Sequence, residues 1–340
     1  MNTITIGIDL AKTSFSLVGM SKQGNITFRK TLTRKKLLPF IANHPISTIA
    51  MEACSGAHFW AREFSKLGHE CKIIAAKFIA PFRKGVKNDN NDAEAICEAA
   101  QRPRIYTVPI KTPDQQALQA MHRIASLIIK EKNATVNQAR GLLAEFGFVI
   151  PKGKKAFITQ IPEILEDAEN GLPDQARMLI SHLLKHYKLL HEKTLEYDRE
   201  FSRIGRENPK AKRLRTIPGV GDKTATGMVA AVPDPRMFTN SHQFAAWLGL
   251  TPKQFSTGGK IKLGGITKAG NSYLRMCLIH GARSYIKNIE NKDDKVSRWI
   301  VNLIERRGYN RGLVAMAARN ARLIWTLLIK EEDYRVPLCT

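Results

Sequence analysis

The feature that most restricts what this chain can become is an aspartate set inside an apolar, alternating segment near its start. Residues 3–10 read TITIGIDL, β-branched residues on a period of two that describe a half-buried strand. Asp9 lies within it, where acidic residues are depleted. Three more acids recur in telling places: Glu52 follows the extended run STIAM, and Asp89 and Asp92 stand three apart in KNDNNDAEAI, where an opening helix puts both carboxylates on one side. Together they form the all-oxygen donor set that one or two Mg²⁺ ions need for phosphodiester chemistry. Taken singly, each has a plainer reading, Asp9 as a turn cap and Asp92 as the N-cap of a helix.

The surrounding pattern gives these acids a scaffold. Segments 3–10, 14–20 and 25–32 read as three successive strands, followed by a helix over 34–43, a strand over 46–51, a helix over 57–67 stopped by Gly68, and a strand over 70–75. The order β-β-β-α-β-α-β is that of a ribonuclease-H-like α/β fold, in which the first strand carries one acid, the fourth another, and the last helix opens on the third locus. The predicted first domain spans residues 1–111.

From 112 to 205 the texture becomes helical, with apolar residues at three- and four-residue spacing in LQAMHRIASLIIKEKNATVNQARGLLAEFG and again from ILEDAEN onward, on either side of the basic loop VIPKGKKAF. Two long helices are predicted, as an antiparallel hairpin or a dimerising coiled coil. His182 and His186 are four apart, as helical metal ligands can be. With no acid or cysteine in a matching position, they and His191 read as a solvated face.

The region 206–340 reads as mostly helical and opens on the basic NPKAKRLR. Gly219 and Gly221 in IPGVGDKTATG make a tight turn before a helix near Asp222. This is the pattern of a helix-hairpin-helix, whose backbone N–H groups, with Lys223 and Thr224, meet a nucleic-acid phosphate. A tight turn with no ligand is the alternative. A nucleotide P-loop is excluded because Asp222 separates Gly221 from Lys223. Further on, Asn240 or Ser241 caps a helix ended by Gly249, and a Gly-rich loop headed by Ser256 and Thr257 carries Lys253, Lys260, Lys262 and Lys268. That loop is either a phosphate seat beside a hydroxyl or a flexible surface loop. The tail reads as a helix with an apolar face that takes Trp325 into the core.

The balance of 54 Lys and Arg against 30 Asp and Glu, a net +24 over 340 residues, calls for a polyanionic partner. No charge-free apolar stretch reaches the ~18 residues of a membrane span, so nucleic acid is expected rather than lipid. Cys54, Cys71, Cys97, Cys277 and Cys339 are odd in number and lack CxxC spacing, which argues against a disulfide framework or cysteine zinc site and fits a reducing cytoplasm. Asp9 and Lys12 interrupt the N-terminal apolar run too early for a signal peptide.

Assembled in order, GIDLAK around Asp9, MEACSGAHFW around Glu52, K-x-D-x-x-D-A from Lys87 to Ala93, IPGVGDKTA from Ile217 to Ala225 and AAWLGLTPKQ-STGGK-LGGITKAGNSYLR resemble the insertion-sequence one-ten family of DEDD transposases. The resemblance covers nearly the whole chain and is strongest to the eleven-eleven subgroup, with the pilin-gene invertase Piv as a relative. Asn88 departs from it, since Thr or Ser is expected there. The resemblance implies a RuvC-like N-terminal domain whose catalytic, Mg²⁺-binding tetrad is Asp9, Glu52, Asp89 and Asp92. It also implies a coiled-coil dimerisation segment over 112–205 and a C-terminal transposase domain over 206–340 with its catalytic serine at Ser256, Thr257 being the neighbouring candidate. The implied activity is cleavage and exchange of donor and target DNA through a serine–DNA bond, guided by a structured bridge RNA. The implied particle is a dimer to tetramer, away from membranes and associated with the bacterial nucleoid. A RuvC-like structure-specific endonuclease that uses metal-activated water would need the tetrad but not Ser256, and a basic nucleic-acid scaffold would need neither.

Overall fold

The computed structural model describes residues 4–84, 88–289 and 294–335, so that Lys87 of the K-x-D-x-x-D-A motif and Cys339 lie outside the described residues. The chain divides into two compact units, Met1–Thr112 and Pro113–Thr340.

The first unit is a mixed sheet with helices on both faces. Its elements are β1 (Thr5–Leu10), β2 (Ser14–Met20), β3 (Ile26–Thr33), α1 (Arg34–Ala42), β4 (Thr48–Glu52), α2 (Ala57–Lys66), β5 (Glu70–Ile74), α3 (Ala76–Ile79), α4 (Asp89–Ala100) and β6 (Thr107–Val108). The sheet order is β3-β2-β1-β4-β5-β6, with β4 parallel to both β1 and β5 and the remaining pairs antiparallel. Alternation decides which helix each strand residue meets. Ile6, Ile8, Ile49 and Met51 pack with Trp60 and Phe64, whereas Ala50 and Ile74 pack with Ile96 and Ala99 of α4. The two-residue β6, pairing at Ile73↔Val108 and Ile74↔Thr107, is too short to leave a period in the sequence.

The second unit begins with α5 (Pro113–Glu145), α6 (Lys154–Glu166) and α7 (Asp174–Glu207). Two long helices were expected around a basic loop; there are three, because the end of VIPKGKKAF starts α6. Phe157 and Ile161 give the reason: they are buried against Leu143, Ile180 and Tyr187 and hold the segment onto the hairpin. Gly171 at φ +72° and Pro173 at φ −60° then break the chain before α7. His182 and His186 are exposed, and the His191 ring stacks 6.0 Å from Tyr187.

The rest of this unit comprises α8 (Pro209–Leu214), α9 (Asp222–Ala231), α10 (Ser241–Trp247), β7 (Pro252–Thr257), β8 (Lys260–Ile266), α11 (Ser272–Lys287), α12 (Lys295–Arg307) and α13 (Tyr309–Lys330). By length and composition α13 is apolar enough to cross a membrane, but Leu313, Met316, Ala317 and Ile324 form the centre of this core with Phe244, Leu274 and Leu278. Trp325 packs against it and donates to Pro235 O at 3.0 Å. The long helices are tied to this core through His122, which bonds Tyr273 Oη (2.8 Å) and Thr226 Oγ1 (3.1 Å) and stacks on Phe201. Burial, and then Lys223, press its pKa down to about 4, so the imidazole is neutral at neutral pH.

The Gly-rich stretch expected as a loop is an antiparallel ribbon. Gly258 (φ +55°) and Gly259 (φ +76°) form the two-residue turn between β7 and β8, a conformation whose positive φ values suit the twist of a hairpin.

Candidate active site

Because β1 and β4 are parallel, both run out at one edge of the sheet, and each delivers a carboxylate there. Asp9 follows the last β1/β4 pair, Ile8↔Met51, and Glu52 is the final residue of β4. The other two acids arrive on α4. Asn88 is its N-cap, accepting the Asn91 N–H on Oδ1 at 2.8 Å, a role that a Thr or Ser side chain can also fill. Asp89 and Asp92 occupy the first turn of that helix.

What lays α4 onto β1 is Gly7. A Cβ there would overlap Ala93 O and crowd Cys97 N at 2.9 Å. With none, the Gly7 N–H donates to Cys97 Sγ (2.8 Å) and the thiol donates to Val18 O (3.0 Å).

The four acids share one field. Burial raises the Asp9 pKa above the ordinary 3.8, Asp92, Asp89 and Glu52 raise it further, and Arg83 opposes them. The Cys54 thiol is likewise raised, by burial and then by Glu52 and Asp9. Arg83 is the local counter-ion, with Nε 2.8 Å from Asp92 Oδ1 and Nη2 3.3 Å from Glu52 Oε2. Asp92 Oδ1 is buried, and its contact with that guanidinium is an ion pair rather than an aligned hydrogen bond. Among the described residues no three His, Cys, Asp or Glu side chains stand close enough to hold a metal ion as they are. The donor set still suits a hard divalent cation: it is all oxygen, its members repel one another, and a guanidinium already bridges two of them. Arg83, Gly7 and Cys97 are the supporting residues that sequence reasoning missed. Gly7 had a signal, a glycine inside a strand two positions before the acid.

The remaining predicted residues belong to the second unit. Gly219, at φ +82°, is pressed onto α11, where an added Cβ would meet Gly281 O at 2.9 Å, and Asn320 donates to Pro218 O at 2.8 Å. Thr224 is buried at 4% exposure, so the turn's outer surface is Gly221 and Lys223, the latter paired with Asp198 at 2.5 Å. Ser256 is exposed on β7 and accepts a hydrogen bond from Gln254 Nε2 at 2.8 Å. Pairing puts Ser256 opposite Ile261 and Gln254 opposite Leu263, while Thr257 faces Lys260 and Phe255 faces Lys262. Strand residues alternate, so Ser256 and Thr257 lie on opposite faces, and Lys260 and Lys262 are on the threonine's side.

Comparison with known proteins agrees in both units. A DEDD transposase model of the IS110 type matches residues 6–148, and the model described as the transposase IS116/IS110/IS902 family matches residues 211–296. The chain is 40% identical over 336 residues to a probable family 20 transposase of Pseudomonas aeruginosa, covering 98% of this chain and 99% of the relative. It is 38% identical over 330 residues to the transposase for insertion sequence element IS1111A of Coxiella burnetii (97% and 91% covered). It is 39% identical over 326 residues to the transposase for insertion sequence element IS1328 of Yersinia enterocolitica (96% and 97% covered). Similarity that runs through the acidic sheet edge and the ribbon alike makes this chain a member of the IS110/IS116/IS902 family of insertion-sequence transposases, which cleave and rejoin DNA.

Proposed function

We propose that this transposase is an RNA-guided DNA recombinase in which Asp9, Glu52, Asp89 and Asp92 hold Mg²⁺ and Ser256 is the nucleophile. The observation that carries the reading is the convergence of four acids from three separate stretches of chain at one edge of the first unit's sheet, where burial and then the other three raise the Asp9 pKa. The sheet order and the placement of α4 support a RuvC-like fold for residues 1–111, and α8, its turn and α9 support a helix-hairpin-helix in 206–340. Exposed Ile124 and Leu127 on α5, with Met178, Leu179 and Leu189 on α7, support self-association through residues 112–205. Guidance by a bridge RNA, and a tetramer that unites the acids of one protomer with Ser256 of another, rest on the family resemblance.

The chemistry assigns each group a task. A bound Mg²⁺ would polarise the scissile phosphate and neutralise the charge that develops on it. The carboxylates would hold the ion, and Arg83 already balances the charge of Glu52 and Asp92. Ser256 Oγ attacks phosphorus; the P–Oγ bond forms as the bond to the sugar oxygen breaks. The hydroxyl proton leaves to solvent and the departing oxygen gains one. The serine ester conserves the bond for rejoining, which hydrolysis would not.

A suicide DNA substrate that traps the intermediate tests this. The covalent adduct should map to Ser256 by mass spectrometry and vanish, with recombination, in Ser256→Ala. Metal-dependent hydrolysis with no adduct would make the protein a water-using endonuclease instead.

A further inference from the structure

A cleft of about 1290 Å³ lies between the base of the β7/β8 ribbon and helices α10, α12 and α13, and Ser256 does not border it. Its floor is apolar, from Leu250, Ile266, Val314, Ala315 and Ala318. Along α13 the residues Arg311, Ala315, Ala318 and Arg322 recur at four, three and four positions, one face of a helix. Two guanidinium groups thus bracket a stretch of small residues, ~16 Å apart along the axis. Lys253, Lys268 and Arg307 complete the rim. No acidic side chain lines the cleft, and none of these cations has a salt-bridge partner among the described residues.

Two details mark this as more than a gap in packing. Trp299 of α12 lines it while 39% exposed, a flat apolar ring left open to a ligand. Lys268 is held at φ +55°, one of two non-glycine residues in the left-handed region among the described residues. Its segment is pressed onto the end of α10, where neither Gly249 nor Gly270 has room for a Cβ, and its N–H donates to Gly249 O at 3.2 Å. The fold carries that strain and keeps the ammonium group at the rim.

We propose that this cleft seats an unpaired nucleic-acid strand, with bases on the apolar floor, one of them stacked on Trp299, and phosphates on the basic rim. A duplex turns its phosphates outward and hides its base faces, so it has no use for the floor or the tryptophan. A single strand offers both together. A second copy of this +24 chain would bring like charge to a rim already positive. The inference rests on reading the chain as a nucleic-acid recombinase, but not on the acids or Ser256. A displaced DNA strand and an unpaired stretch of RNA present the same chemistry.

The test uses the full-length protein with oligonucleotides carrying 5-iodouracil, one arm DNA and one RNA, irradiated and mapped by mass spectrometry. The adduct should fall on the peptide that contains Trp299. In parallel, fluorescence anisotropy of oligo-dT, oligo-U and a duplex at fixed salt should show Trp299→Ala, and Arg311→Gln with Arg322→Gln, weakening single strands about tenfold and the duplex less than about twofold. Trp299→Phe should keep most of the affinity, and wild-type melting curves should establish that the variants fold. Loss in the DNA arm alone identifies a displaced strand, and loss in the RNA arm alone a guide segment. Crosslinks away from α12 with unchanged affinity, an equal loss for duplex, or a change of oligomeric mass in place of affinity would each overturn the proposal. No cleavage step enters the measurement, so its failure and failure of the serine mechanism are separable.

Discussion

Asp9 carries a burial penalty, and after it a repulsion from Asp92, Asp89 and Glu52, that the rest of the fold offsets. Its folded pKa lies above the ordinary 3.8, so just above that pH the folded protein binds more protons than the unfolded chain. Stability from this group is therefore lost as pH rises through the raised value, and the penalty is complete at neutrality. Asp9→Asn, melted at pH 7 without divalent cations, should gain roughly 2 °C, a gain that shrinks toward pH 4. The same variant should lose at least ~10²-fold in strand cleavage. No gain in melting temperature would remove the electrostatic account. Gly7 acts on the same acids through geometry: Gly7→Ala should cost ~1–3 kcal/mol in urea unfolding, because the methyl group must displace α4. Cleavage should fall with it, since Asp89 and Asp92 ride on that helix; wild-type cleavage in a destabilised variant would show that α4 need not sit where Gly7 puts it.

At the scale of elements, the ribbon turns a one-residue ambiguity into a choice of face. Moving the hydroxyl from Ser256 to Thr257 takes it from the side of Gln254 and Ile261 to the side of Lys260 and Lys262. A Ser256→Ala, Thr257→Ser double variant should accordingly show neither adduct nor recombination, where a flexible loop would retain some of both. The ribbon read as a loop in the sequence because all six residues of β7 are exposed and leave no alternation of burial, while four glycines mimic a linker. The strands β1 to β5 were legible to within two residues: β1, β2, β4 and β5 are pressed on by helices and the apolar period records it, whereas β3, which has no buried residue, shows through its Ile26, Phe28 and threonines after a turn. α6 escaped notice because its helical period is short and begins inside a run of Lys and Gly.

For the whole molecule, charge and exposed apolar surface act on different partners. Leu179 and Leu189 are 51% and 52% exposed on α7, so replacing both with Glu should leave the fold intact. Light scattering should then report a lower oligomeric mass, with recombination lost and single-turnover nucleic-acid binding kept. A variant of unchanged mass would place self-association elsewhere.

The sequence by itself determined the chemical inventory and its order along the chain: four acids, a serine beside a Gly-rich stretch, a large positive charge, and the periods of the buried elements. Those follow from local pattern, which survives in one dimension because each strand or helix must show its core an apolar face. Tertiary structure alone decided what no period encodes. It drew Arg83 between Glu52 and Asp92, laid α4 on Gly7 through Cys97, buried Thr224, packed α6 on the hairpin, and set Ser256 and Thr257 on opposite faces of a strand. Each of these depends on which distant residue arrives opposite, and close packing settles that only when the chain has folded.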